Sequence, residues 1–188
     1  GLTPTAVREY VGHGHAVLVQ AGAGLGAGYG DDLYVKAGAT IAPDADAVFA
    51  GAELIIKVKE PQKVEWERLT PRHILFTYLH LAPDPAQTEG LRASGCAAIA
   101  YETVTDAQGG LPLLAPMSEV AGRLAPQVGA YHLMRSGGGR GVLMGGVPGV
   151  YAAKVVVIGA GVSGMNAAAI ALGMQAEVLV LDRNIAKL

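Results

Sequence analysis

The sequence of 188 residues has little that could form crosslinks or bind a metal. Cys96 is its single cysteine, so no disulfide can form within the chain, and this favours a reducing, cytoplasmic setting. No group of Cys and His residues has the spacing of metal ligands, and we expect no metal site. The first residues lack the basic and then apolar pattern of a secretory signal, which agrees with a cytoplasmic protein.

Charge is also scarce. Charged residues make up 16% of the sequence and the formal net charge is -2, so no basic surface favours nucleic acid or anionic lipid as a partner. Hydrophobic residues make up 51%, and a chain of this length can bury them in a sizeable core. We therefore expect a soluble, globular protein.

One long stretch, 155–176, contains no charged residue, and this is the usual sign of a membrane-spanning helix. Its apolar residues are mostly alanine, however, which adds little to burial in lipid. Polar or flexible residues also interrupt it, namely Gly159, Gly161, Gly164, Asn166 and Gly173. A strand, a turn and a helix that hold a nucleotide explain these interruptions better than a membrane span does.

The glycines of this stretch have the spacing G-x-G-x-x-G directly after the apolar run VVVI (155–158), which is typical of a buried parallel strand. In a dinucleotide-binding turn, Gly159 permits the tight bend and Gly161 leaves room for a pyrophosphate. Gly164 then lets the following helix pack closely on the strand. The spacing predicts a binding site for a dinucleotide.

Peptide N–H groups at the start of the helix, at Val162 and Ser163, would meet the phosphates, because the helix dipole favours negative charge there. A second strand, VLVLD, then ends in Asp182, about twenty residues beyond the glycines. An acid at this point of the pattern is the expected ribose ligand.

Strand-like and helix-like segments alternate before this site, and the alternation predicts a parallel sheet with right-handed crossovers. A helix is expected from Thr3-Pro4 to about Tyr10, since this pair suits a helix start. The other predicted helices are 31–38, 44–52, 64–69 and 85–95, and the predicted strands are 16–20, 53–58, 73–79 and 96–101, of which the last three are expected to be buried.

The predicted fold class is α/β, with a parallel-sheet substrate domain followed by the start of a Rossmann domain. The first domain is expected at 1–112. A connecting segment at 113–152 contains a long helix (118–134) and an ordered, glycine-rich loop or hairpin. The first β-α-β unit of the Rossmann domain then occupies 153–188.

A second glycine pattern, GAGLGA (22–27), also follows a strand, and Asp44 lies about twenty residues after it. Here, however, Pro43 interrupts the segment TIAPD that would have to form the second strand, and proline lacks the N–H that a central strand needs. Further glycines delay the helix that should start at once. We interpret 22–27 as an ordinary glycine-rich turn.

Three polar residues follow predicted strands. Lys59 comes after the strand at 53–58, His80 directly follows the segment HILFTYL (73–79), and Glu102 directly follows CAAIAY (96–101). Ligands gather at the carboxyl ends of parallel strands, so shared placement on one edge makes a functional role as reasonable as a structural one. Glu102 is the weaker candidate, because its carboxylate could simply pair with a nearby base. The remaining histidines, His13, His15, His73 and His132, are interpreted as structural.

Taken together, several motifs closely resemble the alanine dehydrogenase family, and the similarity covers practically the whole chain. They are KVKEP (57–61), ILFTYLHLA (74–82), AYETV (100–104), LLAPMSEVAGRLAPQVGAYHL (113–133), GGRGVLMGGVPGV (138–150) and VVVIGAGVSG (155–164). The related α subunit of proton-translocating transhydrogenase shares the architecture but matches the middle motifs less well.

The resemblance implies an NAD-dependent, reversible deamination of L-alanine to pyruvate and ammonium. It implies that Lys59 holds the substrate and that His80 is the acid/base group or a hydrogen-bond partner of the substrate. Ser118 and Lys187 would contact NAD. Asp182 would accept hydrogen bonds from the ribose hydroxyls and disfavour NADP, although Arg183 beside it weakens that preference.

The resemblance also implies a homo-oligomer, a hexamer in the family, for which the apolar loop 141–150 is a candidate contact surface.

A dinucleotide-binding sheet needs about six strands, and only two are predicted here, so we expect a fragment without turnover of its own. Two alternatives stay open at this point. One is an NAD(H)-binding subunit of a membrane transhydrogenase, and the other is an NAD-sensing module without catalysis.

Overall fold

The computed structural model describes every residue from Gly1 to Leu188, in two compact units, Gly1–Val104 and Thr105–Leu188. The helices are α1 (Pro4–Gly12), α2 (Asp31–Lys36), α3 (Ala45–Gly51), α4 (Lys63–Trp66), α5 (Pro85–Ser94), α6 (Ala115–Leu133) and α7 (Val162–Gly173). The strands are β1 (Leu18–Gln20), β2 (Thr40–Ala42), β3 (Leu54–Ile56), β4 (Ile74–Thr77), β5 (Ala97–Ala100), β6 (Lys154–Ile158) and β7 (Glu177–Leu181).

Every pairing between these strands is parallel, as predicted for an α/β fold. The first unit, however, holds two sheets, β1–β2 and β3–β4–β5, where a single sheet was expected. A cleft lies between them and is lined by both edge strands, including Leu18 of β1 and Ile55 of β3. These two strands therefore do not hydrogen-bond to each other. The second unit contains the two-stranded sheet β6–β7.

Local sequence signals explain where several helices start. The Thr3 hydroxyl accepts a hydrogen bond from the Ala6 N–H, and Pro4 occupies the first turn of α1, as predicted. Asp84 caps α5 in the same way by accepting from the Gln87 N–H. These caps satisfy N–H groups that have no partner inside the helix.

The segment before Pro43 contradicts the sequence interpretation, because Thr40–Ala42 does form a strand, parallel to β1. The strand ends just before the proline, so the missing N–H of Pro43 costs it nothing. Asp44 then caps α3, where its carboxylate accepts the Ala47 N–H at 2.8 Å. The acid that follows the first glycine pattern thus has a structural role.

The strands are less buried than predicted. On β5 the side chain of Ile99 is 46% exposed, and on β6 Ile158 is 86% exposed while its neighbour Val157 is buried. The prediction of strands buried on both faces is wrong here, because β6 packs its covered face against α7 and no residue of the chain covers the other.

Each unit has its own core. In the first unit, one cluster joins Leu75 and Leu79 to Leu91 of α5 and Phe49 of α3, which holds the β3–β4–β5 sheet against its helices. A second cluster surrounds Val7 of α1 and also contains Tyr34 of α2. In the second unit, the remaining core cluster consists of Met144, Ala153, Ala171 and Ala176.

In the second unit, α6 lies against α7 at a close approach. A Cβ on Gly122 would be 2.2 Å from the Ser163 carbonyl oxygen, so no larger residue fits there without a shift. The Arg123 guanidinium also donates to the Asn166 side chain at 2.9 Å. The predicted helix at 118–134 is therefore packed along the first turn of α7 and begins three residues earlier than expected.

The glycine-rich segment after α6 is ordered, as predicted. It begins with a short 3-10 helix at Arg135–Gly137 and contains an isolated antiparallel bridge between Val147 and Val150. Among the helices of the structure, none combines the length and the apolar character that crossing a membrane requires.

Replacing Gly122 with Ala should destabilise the second unit by about 1–3 kcal/mol, because the added methyl overlaps the α7 backbone. Gly129→Ala is the matched control, since it lies in the same helix with no atom within 4 Å of the added Cβ. It should stabilise the unit by about 0.5–1 kcal/mol through helix propensity. Urea unfolding followed by far-UV circular dichroism measures both changes, and equal effects would contradict the close approach.

Candidate functional site

One edge of the β3–β4–β5 sheet carries the three polar residues that the sequence placed after strands. Lys59 follows β3, His80 follows β4, and Glu102 follows β5 within the 3-10 turn Tyr101–Thr103. Because the strands are parallel, their carboxyl ends meet at this edge, and the predicted shared placement is confirmed.

Glu60 connects Lys59 to His80. One carboxylate oxygen of Glu60 lies 2.5 Å from the Lys59 ammonium, and the other lies 3.4 Å from Nδ1 of His80. The side chain of Lys59 is 73% exposed and that of His80 is 42% exposed, whereas only 20% of the Glu60 side chain is exposed. The cationic and imidazole groups thus face solvent while the carboxylate between them is largely covered.

The Lys59 ammonium hydrogen-bonds Glu60 and, together with a backbone hydrogen bond and the contact to His80, lowers the pKa of Glu60 to about 2. Glu60 is consequently a carboxylate at any pH near neutrality. An exposed ammonium, a fixed carboxylate and an imidazole in contact can bind an anionic group and move a proton.

Glu102 does not pair with a base. Its carboxylate accepts the N–H groups of Leu79, at 3.0 Å, and of His80, at 2.7 Å. Partial burial acts to raise the pKa of Glu102, but these N–H groups outweigh it, and the pKa is lowered. Pairing with a nearby base was the structural alternative for this residue, and it is not what the structure shows.

Thr77 ties the Lys59 loop to β4. Its buried hydroxyl lies 3.0 Å from the carbonyl oxygen of Val58 and 3.2 Å from that of Lys59, so it can donate to either. The ring of His80 stacks on Tyr78 with centroids 5.9 Å apart and planes 14° apart. Both candidate residues are therefore held by contacts from the same strand end.

An apolar cleft of about 400 Å³ adjoins His80 and Glu102. Its other lining residues include Leu81, Pro83 and Ala100. A volume of this size is at the lower end of small-molecule sites, about 300–1,000 Å³. The edge of the sheet thus offers a small apolar space beside the polar cluster.

The other histidines show no comparable arrangement. His73 is buried, and its Nδ1 accepts the Thr70 N–H at 2.9 Å, so the proton on Nε2 is directed at the Phe49 carbonyl oxygen. His13 lies on the surface with its ring next to the Glu9 carbonyl oxygen. The structural interpretation of these residues agrees with their surroundings.

The second unit contains the predicted strand, turn and helix. Gly159 has a φ of 106°, a value that side-chain-bearing residues rarely adopt, and its N–H donates to the Leu181 carbonyl oxygen. A Cβ on Gly164 would lie 1.8 Å from the Gly159 carbonyl oxygen. The first and third glycines are therefore required by the bend itself and by the helix that packs on it.

The second glycine is different. Gly161 is the N-cap of α7, and nothing lies within 4 Å of the position that its Cβ would take. The first N–H groups of a helix, here starting at Val162 and Ser163, have no partner inside the helix. The turn therefore presents backbone N–H groups to open space, and a diphosphate fits this geometry.

Asp182 is part of the same turn. Its carboxylate accepts the N–H of Ala160 and that of Asn184, each at 2.7 Å. The pKa of Asp182 is lowered, first by the Asn184 N–H, next by the Ala160 N–H, and further by the positive charge of Lys187. A carboxylate has about four lone-pair sites, so Asp182 keeps capacity for further donors such as hydroxyls.

Ser118 lies one turn before Gly122 on α6, and therefore on the helix face that packs against the first turn of α7. Lys187 lies in the 3-10 helix Ile185–Lys187, close enough for its positive charge to lower the pKa of Asp182. Both residues are near the glycine turn, as a cofactor contact would require.

The first glycine pattern forms turns and a 3-10 helix, Leu25–Ala27, before α2 begins at Asp31. The Gly22 N–H donates to the Asp31 carboxylate at 2.9 Å. This N–H group, which a phosphate would need as a donor, is therefore already hydrogen-bonded within the chain. The interpretation of this segment as an ordinary turn agrees with this geometry.

Sequence reasoning did not single out Glu60 or Gln87. Glu60 had a signal, because it neighbours Lys59 on the same edge of the sheet. Gln87 had none, since a glutamine in a helix seldom points to a specific backbone group. It is 1% exposed, and its amide donates to the Leu79 carbonyl oxygen.

Two family models match the chain. Residues 1–121 match the model described as "Alanine dehydrogenase/PNT, N-terminal domain", and residues 125–188 match "Alanine dehydrogenase/PNT, C-terminal domain".

Curated proteins named alanine dehydrogenase are similar over nearly the whole chain. One from Mycobacterium tuberculosis (strain H37Rv) is 62% identical over 187 residues, which are 100% of this chain and 50% of that protein. One from Bacillus subtilis (strain 168) is 49% identical over 183 residues, which are 97% of this chain and 48% of that protein. The chain spans about half the length of the curated relatives it matches.

Solved structures are similar as well. An L-alanine dehydrogenase superimposes with a TM-score of 0.92 at 49% identity, over 100% of this chain and 52% of that one. A transhydrogenase from Sinorhizobium meliloti superimposes with a TM-score of 0.81 at 26% identity, over 98% of this chain and 55% of that one.

Replacing Lys59 with Ala should raise the pKa of Glu60 from about 2 towards its ordinary value of 4.5, because the hydrogen bond from the ammonium is lost. A ¹³C NMR titration of the Glu60 carboxyl measures the change, with Lys63→Ala as the control for removing a nearby lysine. Since the folded-state pKa is the lower one, the stability that the pair contributes is present above about pH 4.5 and is lost as the pH falls through about 2. An unchanged titration in Lys59→Ala would contradict the pairing.

Proposed function

The chain belongs to the alanine dehydrogenase/PNT family, and on this basis we propose that the complete protein catalyses the reversible, NAD-dependent deamination of L-alanine to pyruvate and ammonium. The curated relatives are named alanine dehydrogenase, and we infer the cofactor, the products and the reversibility from the family resemblance. The chain covers about half of those relatives, so turnover is assigned to the complete protein and not to these 188 residues.

The observation that carries this proposal is the meeting of Lys59, Glu60 and His80 at one edge of the β3–β4–β5 sheet. A 2-amino acid and its 2-oxo product each bring a carboxylate, and the reaction moves a proton in both directions. An exposed ammonium suits the carboxylate, and imidazole exchanges protons near neutral pH.

In this assignment Lys59 binds the substrate carboxylate or carbonyl oxygen, and His80 is the acid/base group. Glu60 holds both side chains at the edge of the sheet. The adjoining apolar cleft has room for a small side chain such as the methyl group of alanine. These roles agree with the exposure of Lys59 and His80 to solvent.

The glycine turn and Asp182 fit NAD. We assign cofactor contacts to Ser118, Gly159, Gly161, Val162, Ser163, Gly164, Asp182 and Lys187. When bound, the nicotinamide ring accepts or returns the hydride. The ionised Asp182 can accept hydrogen bonds from ribose hydroxyls, and its charge would repel a 2′-phosphate, which favours NAD over NADP.

The proposal extends to the setting of the protein. We assign it to the cytoplasm, since Cys96 has no partner for a disulfide within the chain. We also assign a homo-oligomer, a hexamer by family resemblance, without nucleic acid or membrane as a partner. The loop 141–150 supports self-association, because Leu143, Val147 and Val150 are exposed.

A second candidate is an NAD(H)-binding transhydrogenase subunit, and the likeness to the Sinorhizobium meliloti structure favours it. That candidate shares the cofactor site but would show no NADH formation that depends on alanine. An NAD-sensing module without catalysis would likewise bind the cofactor alone. NADH formation that depends on alanine therefore separates the dehydrogenase from both alternatives.

The complete protein should reduce NAD when L-alanine is added, while the 188-residue chain should not. In the complete protein, His80→Ala should lower kcat by about 10²–10⁴-fold and leave NADH affinity unchanged, because only proton transfer is lost. Absorbance of NADH follows the reaction, and His13→Ala serves as the surface-histidine control. Full activity in His80→Ala would refute the catalytic role of His80, and alanine turnover by the short chain would refute the assignment of turnover to the complete protein alone.

Gly161→Ala tests the cofactor site separately. Its φ of -80° suits alanine and no atom lies near the added methyl, so stability should not change. NADH binding to the complete protein should weaken roughly tenfold or more, since the methyl occupies the space left for the phosphates. Gly173→Ala, at the other end of α7 with equally open surroundings, is the control and should leave binding intact. Equal affinity in both variants would exclude a diphosphate at this turn.

A further inference from the structure

The backbone at His80 has an unusual conformation. His80 has a φ of 48°, and Gln175 is the other residue besides glycine with a positive φ in the chain. A histidine in this left-handed region is strained relative to the β conformation of a strand, and such strain persists only where the surroundings impose it. The contacts that impose this backbone conformation should therefore lie around the segment Leu79–His80.

Side chains from two other elements hold this segment. The Glu102 carboxylate accepts the Leu79 N–H, with Oε1 at 3.0 Å and Oε2 at 3.3 Å, and its Oε1 also accepts the His80 N–H at 2.7 Å. From α5, the buried amide of Gln87 donates to the Leu79 carbonyl oxygen. Three consecutive backbone groups are thus tied to side chains instead of continuing β4.

The contacts of Glu102 are to the backbone of His80, while the imidazole ring has other neighbours. Nδ1 of His80 lies 3.4 Å from the Glu60 carboxylate, and the ring stacks on Tyr78. The hydrogen bonds of Glu102 therefore fix the backbone from which the His80 side chain extends. Glu60 and Tyr78 contact the imidazole ring itself. A carboxylate has two acceptor oxygens and can accept several N–H groups at once, which suits it to holding two consecutive backbone N–H groups.

We propose that Glu102 is the positioning residue for His80: by accepting two consecutive N–H groups, it holds the left-handed turn that keeps the imidazole beside Glu60. The consequence for turnover rests on the proposed role of His80 in proton transfer. The consequence for the backbone does not, because it concerns only the two N–H groups and their acceptor.

Two substitutions separate the hydrogen bonds from the charge. Glu102→Gln keeps an oxygen acceptor at the same distance along the side chain and removes the charge. Glu102→Asp keeps the charge but shortens the side chain by one methylene, so the acceptor cannot stay in place for both N–H groups. Glu102→Ala removes both, and Glu89→Ala, a surface carboxylate that pairs only with Arg92, is the control for losing an acid.

The measurements are kcat and KM for L-alanine, NADH affinity, and amide hydrogen exchange at Leu79 and His80, all on the complete protein. Glu102→Gln should keep both amides protected and keep most of kcat. Glu102→Asp and Glu102→Ala should lose protection at both amides, and kcat should fall about a hundredfold, as expected for a displacement of about 1 Å. NADH affinity should stay unchanged in all variants.

Each alternative result counts against the proposal. Protected amides in Glu102→Ala would show that Glu102 does not hold the turn. Slow turnover in Glu102→Gln together with normal turnover in Glu102→Asp would show that the charge, and not the hydrogen bonds, matters. If Glu102→Ala fails to fold, the Gln and Asp variants still decide the question.

Failure of the function assignment looks different. If the complete protein shows no alanine turnover but its amides at Leu79 and His80 respond to Glu102 as expected, the positioning role stands and the enzymatic assignment falls. If turnover requires His80 but the two amides are insensitive to Glu102, the positioning role falls alone.

Discussion

The parallel pairing of β3, β4 and β5 is the constraint on which the candidate active site depends. Because the three strands run in one direction, the residues that follow them come to one edge, although long stretches of sequence separate them. Lys59, His80 and Glu102 all lie within three residues of a strand end. The strand directions alone therefore bring these distant residues of the sequence together in a polar cluster. The core around Leu75 keeps the strands in register.

In the second unit a comparable constraint comes from close backbone approaches. Gly164 permits α7 to start against the turn at Gly159, and Gly122 permits α6 to lie on the first turn of α7. Asp182 connects the end of β7 to the same turn through the Ala160 N–H. Contacts from α6, α7 and Asp182 therefore fix the turn, but none of them fills the space next to Gly161. Gly122 and Gly164 allow the close packing, whereas Gly161 borders the open space.

The sequence predicted the elements whose signals are local. Hydrophobic runs, helix caps and glycine spacing located the strands, the helices and the turn, and the order of strands predicted the edge where Lys59 and His80 meet. Burial was overestimated, since an apolar run such as β5 shows that a strand can be covered but not that a partner lies on both faces. The strand before Pro43 was missed because the proline was assumed to interrupt it. The strand in fact ends at Ala42, so the proline lies outside it. The roles of Glu102 and Gln87 were not predictable, because they depend on the backbone conformation of Leu79–His80, which no pattern encodes.

Glu60 connects these considerations to the chemistry. Its pairing with the exposed Lys59 is one that solvent screens, and such pairs contribute little stability, about 0–1 kcal/mol. In the proposed assignment, a substrate carboxylate that binds Lys59 would therefore displace Glu60 from the ammonium at small cost. Glu60 would then keep His80 as its remaining partner, while Glu102 continues to hold the backbone beneath the ring. Ligand binding thus has to replace only a solvent-screened ion pair, while the hydrogen bonds from Glu102 to the backbone of His80 stay in place.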